Sequence, residues 1–303
     1  MAAAFPRVSI LIPAYNLRFF KDALSSALDQ DYGNLEIIVC DNSRGNEIAQ
    51  ICESVDDGRV AYVKNPRNLG FSGNFTECFK RAAGEYIKFL TDDDVLLPSC
   101  VRRMVDEFQK HGSKLTLVTS RRRVINERNE MCADVKATMP LTCVTSYMEG
   151  HDLGNFALVN STNFIGEPST VMFRKHDVDL RNEHLFMLNG IEYTCLADLS
   201  LWLRLLSKGG AVYLAEPMSL FRVHAGQEQA KPDVQIKCVT ERFFLVLGAK
   251  ALGFLKSPEL YDQAMREVGK IFNAALSNPN WDAESRKKLE AVRRGIPTEY
   301  LRS

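Results

Sequence analysis

The chain has 303 residues, of which 46% are hydrophobic and 25% charged, a composition typical of a soluble globular protein with a sizeable core. Its 38 basic and 38 acidic residues cancel, and no extended basic patch indicates nucleic-acid binding. Because no apolar run reaches the length of a membrane span and the N-terminus lacks a signal-peptide hydrophobic region, we expect a cytoplasmic protein.

The first ninety residues alternate between short apolar strands and segments with apolar positions at helical spacing. Strands are predicted over 8–12, 36–40, 60–63 and 86–90, with Pro13 ending the first, and helices over 20–30, 48–55 and 71–82. Strand–helix alternation with short loops indicates an α/β fold with a doubly wound, mostly parallel sheet and right-handed crossovers.

Three consecutive carboxylates, Asp92, Asp93 and Asp94, follow the fourth predicted strand. In extended backbone Asp92 and Asp94 would point to the same side and share a target. Adjacent acids repel one another unless a cation or hydrogen-bond donors neutralise them, and carboxylate oxygens suit Mg²⁺ or Mn²⁺. A solvated acidic loop is the alternative, but open α/β sheets bind ligands at the carboxyl ends of their strands.

The loop after the first strand narrows the nucleotide-binding classes. It reads Pro13-Ala14-Tyr15-Asn16 and lacks the Gly-x-Gly-x-x-Gly pattern of dinucleotide folds, and no Walker A sequence is present. A dehydrogenase is therefore not expected. A sugar-phosphate nucleotidyltransferase would need a basic, glycine-rich loop here, so this rival is also disfavoured.

The eight cysteines include no Cys-x-x-Cys pair, and most lie within apolar segments. This pattern favours reduced core cysteines of a cytosolic protein over a disulfide framework. We therefore expect these residues to be reduced.

Four segments, in order, resemble the N-terminal half of the family 2 glycosyltransferases of the GT-A fold: residues 9–16, 36–43, 68–75 and 83–94. Residues 166–174, 198–204 and 221–224 resemble later motifs of that family, so the resemblance covers residues 7 to about 228. It implies a GT-A domain over 1–230. Residues 231–303 carry no family motif, but two apolar stripes at helical spacing predict a C-terminal helical extension there.

The resemblance also implies a nucleotide-sugar site. Asp41, at the end of the second strand, would accept the imide N–H of uracil or thymine, although an Asp there could equally cap a helix. The other residues implied for the donor are Pro13, Ala14 and Tyr15 beside the base, Arg67 near the base or phosphates, and Asp93 near the ribose. Tyr15 could instead be ordinary packing, and Arg67 a solvated loop residue.

A bound Mn²⁺ or Mg²⁺ is implied at the acid triplet. The resemblance points to Asp94 as the direct ligand and to Asp92 as a ligand or water-mediated contact. His224 would be a metal ligand or a diphosphate contact.

On the acceptor side of the site, the resemblance implies that Asp198 is the general base. A carboxylate at the start of a helix could instead merely cap that helix. Ala197 stands where the family often has a second acid. Glu192 and Glu167 are reserve bases, and Glu167 and Trp202 are assigned to acceptor binding, with core packing the alternative for Trp202.

We expect, from this resemblance, an inverting, metal-dependent hexosyltransferase of polysaccharide biosynthesis. It would use a UDP- or dTDP-sugar as donor and a glycan or lipid-linked oligosaccharide as acceptor. Nucleic acid is not expected as a partner. A non-catalytic glycan- or partner-binding module is the rival. Basic clusters at 286–288 and 293–294 could contact the inner face of a membrane or simply be solvated. The sugar, the acceptor and the oligomeric state stay open.

Overall fold

The computed structural model describes residues 5–180, 184–227 and 232–301. Two compact units are present. The sheet unit takes its described residues from Met1–Met148, Phe164–Leu185 and Gly209–Val223, and the helical unit from Glu149–Asn163, Phe186–Lys208 and His224–Ser303. Glu149–Asn163, Phe186–Lys208 and residues 224–227, all before residue 231, thus belong to the helical unit. A domain boundary at residue 230 stays a prediction.

The four predicted strands, the first four in the chain, are present at the expected positions, and the described residues contain eight more. They are β1 (Val8–Ala14), β2 (Leu35–Asp41), β3 (Val60–Lys64), β4 (Tyr86–Phe89), β5 (Val95–Leu96), β6 (Leu115–Ile125), β7 (Met131–Cys132), β8 (Ser146–Met148), β9 (Met172–Arg174), β10 (Met187–Leu188), β11 (Ile191–Glu192) and β12 (Gly210–Arg222). β10 and β11 form a short antiparallel hairpin in the helical unit, and the other strands build one sheet in the sheet unit.

The large sheet is mixed, and its longer pairings are parallel. The strand order is β3-β2-β1-β4-β9-β6-β12-β5, with β7 added to β6 and β8 added to β12. β2 is parallel to β1 and β3, and β1 is also parallel to β4. The short β9 is antiparallel to β4 and β6, whereas β6 and β12 are parallel. This topology confirms the predicted doubly wound, mostly parallel α/β fold.

The helices of the sheet unit are α1 (Phe20–Leu28), α2 (Glu47–Val55), α3 (Gly70–Arg81) and α4 (Cys100–His111). Those of the helical unit are α5 (Gly150–Val159), α6 (Ala197–Leu206), α7 (Pro232–Ala251), α8 (Pro258–Leu276) and α9 (Ala283–Arg293). The last three confirm the predicted C-terminal helical extension. None of the helices in the described part of the chain combines the length and the apolar character needed to cross a membrane.

Apolar positions at helical spacing become the buried faces of the helices. In α1 these are Phe20, Ala23, Leu24 and Ala27, which belong to the same core cluster as the buried side chains of β1 and β2. In α8 they are Ala264, Met265, Val268 and Phe272. Spacing of three and four residues places such side chains on one face, so each stripe finds one core.

Pro13 does not end the first strand, contrary to the sequence prediction. β1 pairs with β2 as far as Ala14 but with β4 only as far as Leu11. The Leu11 carbonyl accepts from Leu90 N on the β4 side, so Pro13, two residues later, directs its nitrogen to that side as well. Because the ladder has already ended there, the missing N–H of proline interrupts nothing.

One pair of cysteines is oxidised. Cys195 and Cys238 in the helical unit form a disulfide, with their Cα atoms 5.1 Å apart. The expectation that all eight cysteines are reduced is therefore wrong for this pair. The two residues are 43 positions apart and belong to no spacing motif, so only the fold brings them together.

Candidate active site

The three acids after β4 lie in a turn rather than in extended backbone. β4 ends at Phe89, and Asp94 N donates a hydrogen bond to the Thr91 carbonyl at 3.4 Å. The expectation that the triplet is extended is therefore wrong, because side chains alternate strictly only in a strand. That Asp92 and Asp94 share one ligand stays a prediction. Their carboxylates contact different parts of the sheet unit.

Asp92 links the acid turn to the loop after β1. Its Oδ2 accepts hydrogen bonds from the backbone N–H groups of Tyr15 and Asn16, each at 2.6 Å. Desolvation and then the charge of Asp93 raise the pKa of Asp92 to about 7, against the lowering effect of these two bonds. Near neutral pH the carboxyl is thus partly protonated, and a cation that binds here would displace the proton.

Asp94 is almost completely buried, with 2% of its surface exposed. Its Oδ2 accepts from the Thr91 hydroxyl at 2.8 Å, and its Oδ1 accepts from the backbone N–H of Arg222 at 3.0 Å. Burial, followed by the Asp93 charge, raises the pKa of Asp94. Direct coordination of a metal by Asp94 would require these hydrogen bonds to be shared or rearranged.

A buried arginine at the end of β12, Arg222, holds the acid turn in place. Its side chain is fully buried, and its Nε donates to the Asp93 carbonyl at 2.7 Å. One Nη donates to Asn129 Oδ1 at 2.5 Å and the other to Asp22 Oδ2 at 3.0 Å, while the guanidinium carbon lies 4.3 Å from the centre of the Phe19 ring. Sequence reasoning did not assign this residue.

Asp41 ends β2 as predicted, and it is fully buried. Its Oδ1 accepts from Ser43 N at 2.7 Å, while its Oδ2 accepts from the Tyr62 hydroxyl and Lys64 Nζ, both at 2.8 Å. Burial alone raises the pKa of Asp41, but the bonds from Lys64, Ser43 and Tyr62 together outweigh burial and hold this pKa below its usual value.

Asp41 does not cap a helix, since α2 begins six residues later with Asn46 at its N-cap. The capping alternative is therefore wrong. Tyr62 and Lys64 on β3 belong to the candidate site with Asp41, and a base that approached this carboxylate would meet the lysine as well.

Buried asparagines join the loops at the carboxyl ends of the first three strands. Asn65 Nδ2 donates to Asn42 Oδ1 and to Asn74 Oδ1, both at 2.8 Å. Asn74 Nδ2 in turn donates to the carbonyl of Ala14 at 3.2 Å. A buried network whose members satisfy one another fixes its loops, so these three residues position the donor side of the site.

The remaining residues predicted for the donor differ in exposure. Pro13 and Ala14 are buried in β1, whereas Tyr15 is 55% exposed and Arg67 is also exposed. An exposed ring beside a sheet edge is not core packing, so that alternative for Tyr15 is wrong. Both exposed side chains are accessible to a ligand.

Glu167 lies in the sheet unit and is paired with a buried cation. Its Oε2 is 2.5 Å from Nε of Arg122, whose side chain is 2% exposed, whereas that of Glu167 is 20% exposed. The ion pair holds the Glu167 carboxylate in one orientation, and both roles predicted for Glu167, reserve base and acceptor binding, stay predictions.

The acid turn suits a divalent cation only in part. Residues 5–180, 184–227 and 232–301 contain no group of three or more His, Cys, Asp or Glu side chains arranged to hold a metal ion. Mg²⁺ sites commonly use one or two carboxylates, with substrate phosphates completing the coordination. The residues present therefore fit a cation that binds together with a nucleotide diphosphate rather than a preformed metal centre.

In the helical unit, Asp198 lies in the first turn of α6 and is partly buried. Its Oδ2 accepts from Asn163 Nδ2 and its Oδ1 accepts from Leu199 N, both at 2.7 Å. The N-cap position of α6 is Leu196, so Asp198 is not the capping residue. Asn163, which no sequence motif indicated, orients the carboxylate from outside the helix.

Trp202, assigned from the sequence to the acceptor side, is completely buried, as its core-packing alternative predicts. An acceptor would reach this ring only after a rearrangement of the helical unit. The reserve base Glu192 lies on β11 and is exposed.

His224 is nearly buried in the helical unit, and its Nδ1 accepts a hydrogen bond from Gly226 N at 3.1 Å. Because that bond occupies Nδ1, a ligand would have to approach the ring through Nε2. Both roles predicted for His224, metal ligand and diphosphate contact, stay predictions.

The family of the chain follows from its sequence, and a solved structure confirms the fold. Residues 9–179 match the model of glycosyl transferase family 2, and the chain belongs to that family. TarS of Staphylococcus aureus, solved over its residues 1–349 in complex with UDP-GlcNAc, superposes with a TM-score of 0.67 over 97% of this chain and 82% of that one, at 13% identity. This likeness confirms the GT-A fold.

Curated relatives are similar over parts of their length. An uncharacterized glycosyltransferase of Rickettsia prowazekii is 28% identical over 229 residues, which cover 73% of this chain and 65% of that protein. The UDP-Glc:alpha-D-GlcNAc-diphosphoundecaprenol beta-1,3-glucosyltransferase of Escherichia coli is 40% identical over 88 residues, 29% of this chain and 35% of that protein. The matches cover 22% to 65% of the first three curated relatives, less than two thirds of their length.

Proposed function

We propose that the protein is an inverting, metal-dependent hexosyltransferase that moves a sugar from a UDP- or dTDP-sugar to a hydroxyl of a glycan or lipid-linked acceptor. One observation carries the proposal. The acid turn after β4 is hydrogen-bonded to the loop after β1 through Asp92, and the same sheet unit holds the buried Asp41 at the end of the adjacent β2. Open sheets bind ligands at such adjacent carboxyl ends.

The donor is proposed from the chemistry of these strand ends. A buried, ionised Asp41 accepts a hydrogen bond from the imide of uracil or thymine but not from cytosine, whose N3 is itself an acceptor. Lys64 beside it is a donor suited to a carbonyl oxygen of the same ring. The UDP-sugars in the names of the Escherichia coli relative and of the TarS complex support a uridine donor.

Asp92 and Asp94 would hold Mn²⁺ or Mg²⁺ together with the donor diphosphate, and a bound cation would offset the charge that develops on the leaving group. The exposed Arg67 is proposed as a further donor to phosphate oxygens. Arg222 and the Asn42–Asn65–Asn74 network keep these loops in place before the donor arrives.

The acceptor reaction needs one base. In a direct displacement the acceptor oxygen forms a bond to the anomeric carbon while the bond from that carbon to the diphosphate oxygen breaks, which inverts the configuration. Asp198 takes the hydroxyl proton, and Asn163 orients its carboxylate for that step. Lipid-linked acceptors are supported by the diphosphoundecaprenol named for the Escherichia coli relative.

Two linked measurements test this function. Thermal shift with UDP, dTDP and CDP, each with and without Mn²⁺, should show metal-dependent stabilisation by UDP or dTDP and little by CDP. A ligand at a hundred times its Kd stabilises by about 2.7 kcal/mol. In the second measurement, UDP should be released from UDP-glucose only when the GlcNAc-diphospholipid acceptor is present.

The outcomes of these measurements separate the rival functions. Equal binding of CDP would contradict base selection by Asp41. Nucleotide-sugar binding with no release across a panel of sugars and acceptors would indicate a binding module. Release of pyrophosphate from a nucleoside triphosphate and a sugar phosphate would indicate a nucleotidyltransferase.

A further inference from the structure

Glu241 on α7 makes an unusually complete set of contacts for a buried carboxylate in the helical unit. It is 7% exposed, and its Oε1 accepts from the backbone N–H and the hydroxyl of Thr194, at 2.9 and 2.8 Å. Its Oε2 accepts from the backbone N–H groups of Cys195 and Leu196, at 2.9 and 2.8 Å. All four donors belong to three consecutive residues.

These three residues lead directly into the helix that carries Asp198. Leu196 occupies the N-cap position of α6 and has no side chain that could accept a hydrogen bond. Glu241 therefore satisfies, from a different helix, backbone donors at a place where a capping side chain is absent. Burying a carboxylate is costly unless its oxygens are hydrogen-bonded, and here both oxygens are.

A second attachment joins the same two segments. Cys238 lies three residues before Glu241 on α7, hence on the same face of that helix, and forms the disulfide with Cys195. α7 thus holds the segment before α6 by one covalent bond and four hydrogen bonds. Asp198 follows Leu196 by two residues, so a shift of this segment would move its carboxylate.

We propose that Glu241 is a positioning residue for the transfer reaction: its carboxylate fixes residues 194–196 and thereby sets the position of Asp198. The inference rests on the proposed function, in which Asp198 is the base. Glu241 would act on the chemical step through Asp198 and would leave the binding of the donor unchanged, since its four hydrogen bonds hold residues 194–196, none of which is assigned to the nucleotide.

The first test needs no substrate. In Glu241→Gln, Oε2 is replaced by an amide that opposes the N–H groups of Cys195 and Leu196, while the disulfide still attaches the segment. Amide hydrogen exchange at these two residues and at Leu199 should accelerate at least about tenfold relative to the rest of α6. Exchange unchanged at all three amides would overturn the proposal. If this variant does not fold, Thr194→Val, which removes one hydroxyl donor, replaces it.

The second test is a double-mutant cycle with Asp198→Asn, using UDP-glucose, Mn²⁺ and the GlcNAc-diphospholipid. Glu241→Gln should lower kcat about 10- to 100-fold with the donor KM within about twofold, because small misplacements of a reacting group cost this much. In the Asp198→Asn background it should change kcat less than about twofold, because the two residues act as one unit. If Glu241→Gln lowered kcat by the same factor in the Asp198→Asn background as in the wild type, the positioning role would be overturned.

Asp282 supplies the matched control, because its carboxylate accepts from Ser285 N at 2.7 Å and caps α9 of the same unit. Asp282→Ala should lower the melting temperature without lowering kcat; an equal fall in kcat would contradict a specific role for Glu241. Normal turnover in Asp198→Asn would instead contradict the proposed function, while the exchange experiment would still decide whether Glu241 fixes the segment.

Discussion

The backbone N–H of Arg222 donates a hydrogen bond to Asp94 Oδ1 at 3.0 Å, and the guanidinium of the same residue donates to the carbonyl of Asp93. One residue at the end of β12 thus holds two of the three acids after β4. A buried cation with several partners fixes the groups around it, because leaving any of them unpaired is costly.

Arg222→Lys should therefore weaken nucleotide binding, although Arg222 acts through the acid turn and is not proposed to contact the nucleotide. Lysine keeps the charge but cannot reproduce the planar fork that reaches Asp93, Asn129 and Asp22. Residues that orient metal ligands typically change affinity about 10- to 100-fold, and we expect a loss of that size for UDP with Mn²⁺ by calorimetry. Arg103→Lys, at a partly exposed ion pair with Glu216, is the control and should bind UDP normally. Equal affinities of the two variants would contradict the role of Arg222.

Asp92→Asn tests whether the cation depends on the charge of the acid turn. The amide oxygen can still accept from Tyr15 N and Asn16 N, so the turn should keep its structure. Mn²⁺ raises the affinity for UDP in this account. In the variant that gain should be smaller than in the wild type by a factor of about ten or more, because the charge is removed. The measurement is UDP titration with Mn²⁺ and with EDTA. A metal-dependent gain as large as in the wild type would show that Asp92 does not bind the cation.

Lys64→Met should make the protein more sensitive to acid. The folded pKa of Asp41 lies below its usual value of 3.8, so Asp41 stabilises the fold above that value and loses the contribution as pH falls through the folded pKa. Without the Lys64 hydrogen bond, burial raises the folded pKa, and the loss begins at higher pH. Acid unfolding followed by circular dichroism should shift to higher pH. Lys288→Met, at an exposed pair with Glu284, is the control and should not shift the transition. If Lys64→Met did not shift it either, the account of Asp41 would be contradicted.

The disulfide should contribute substantially to the stability of the helical unit. Cys195 and Cys238 enclose a separation of 43 residues, for which the chain-entropy relation gives roughly 4 kcal/mol. A reducing agent should lower the melting temperature of the wild type, and Cys238→Ser should show the lowered value with or without it. Peptide mapping under non-reducing conditions should recover the 195–238 link. An identical melting temperature for reduced and non-reduced wild type would contradict a stabilising disulfide.

The sequence predicted local features of this fold well, because they depend on periodicity. The strands before Asp41 and before the acid triplet and the C-terminal helices follow from apolar spacing, whereas the helix at Asp198 was implied by the family resemblance. Prediction failed where the outcome depends on a distant partner. The turn of Asp92–Asp94 depends on hydrogen bonds to residues 15, 16 and 222.

The residues that support the site were missed for the same reason. Lys64 ends a strand, Asn163 follows a helix, and Arg222 and Glu241 lie within regular elements, where a charged residue usually faces solvent. Only the folded chain shows that Arg222 and Glu241 are buried and bonded. A charged residue between two apolar ones, as in Phe221-Arg222-Val223, was a signal available in the sequence, and it does not reveal the partner.

Substitution of Asp198 by Asn tests the central claim most directly. Asn is nearly isosteric and can still accept from Leu199 N through its oxygen, so the fold and the donor affinity should be retained. A positioned base contributes typically 10²- to 10⁴-fold, and acceptor-dependent UDP release should fall by about that factor. Donor titration and turnover on one preparation measure both. Intact UDP-sugar binding with lost transfer is the predicted result; turnover near that of the wild type would contradict the assignment of Asp198 as the base.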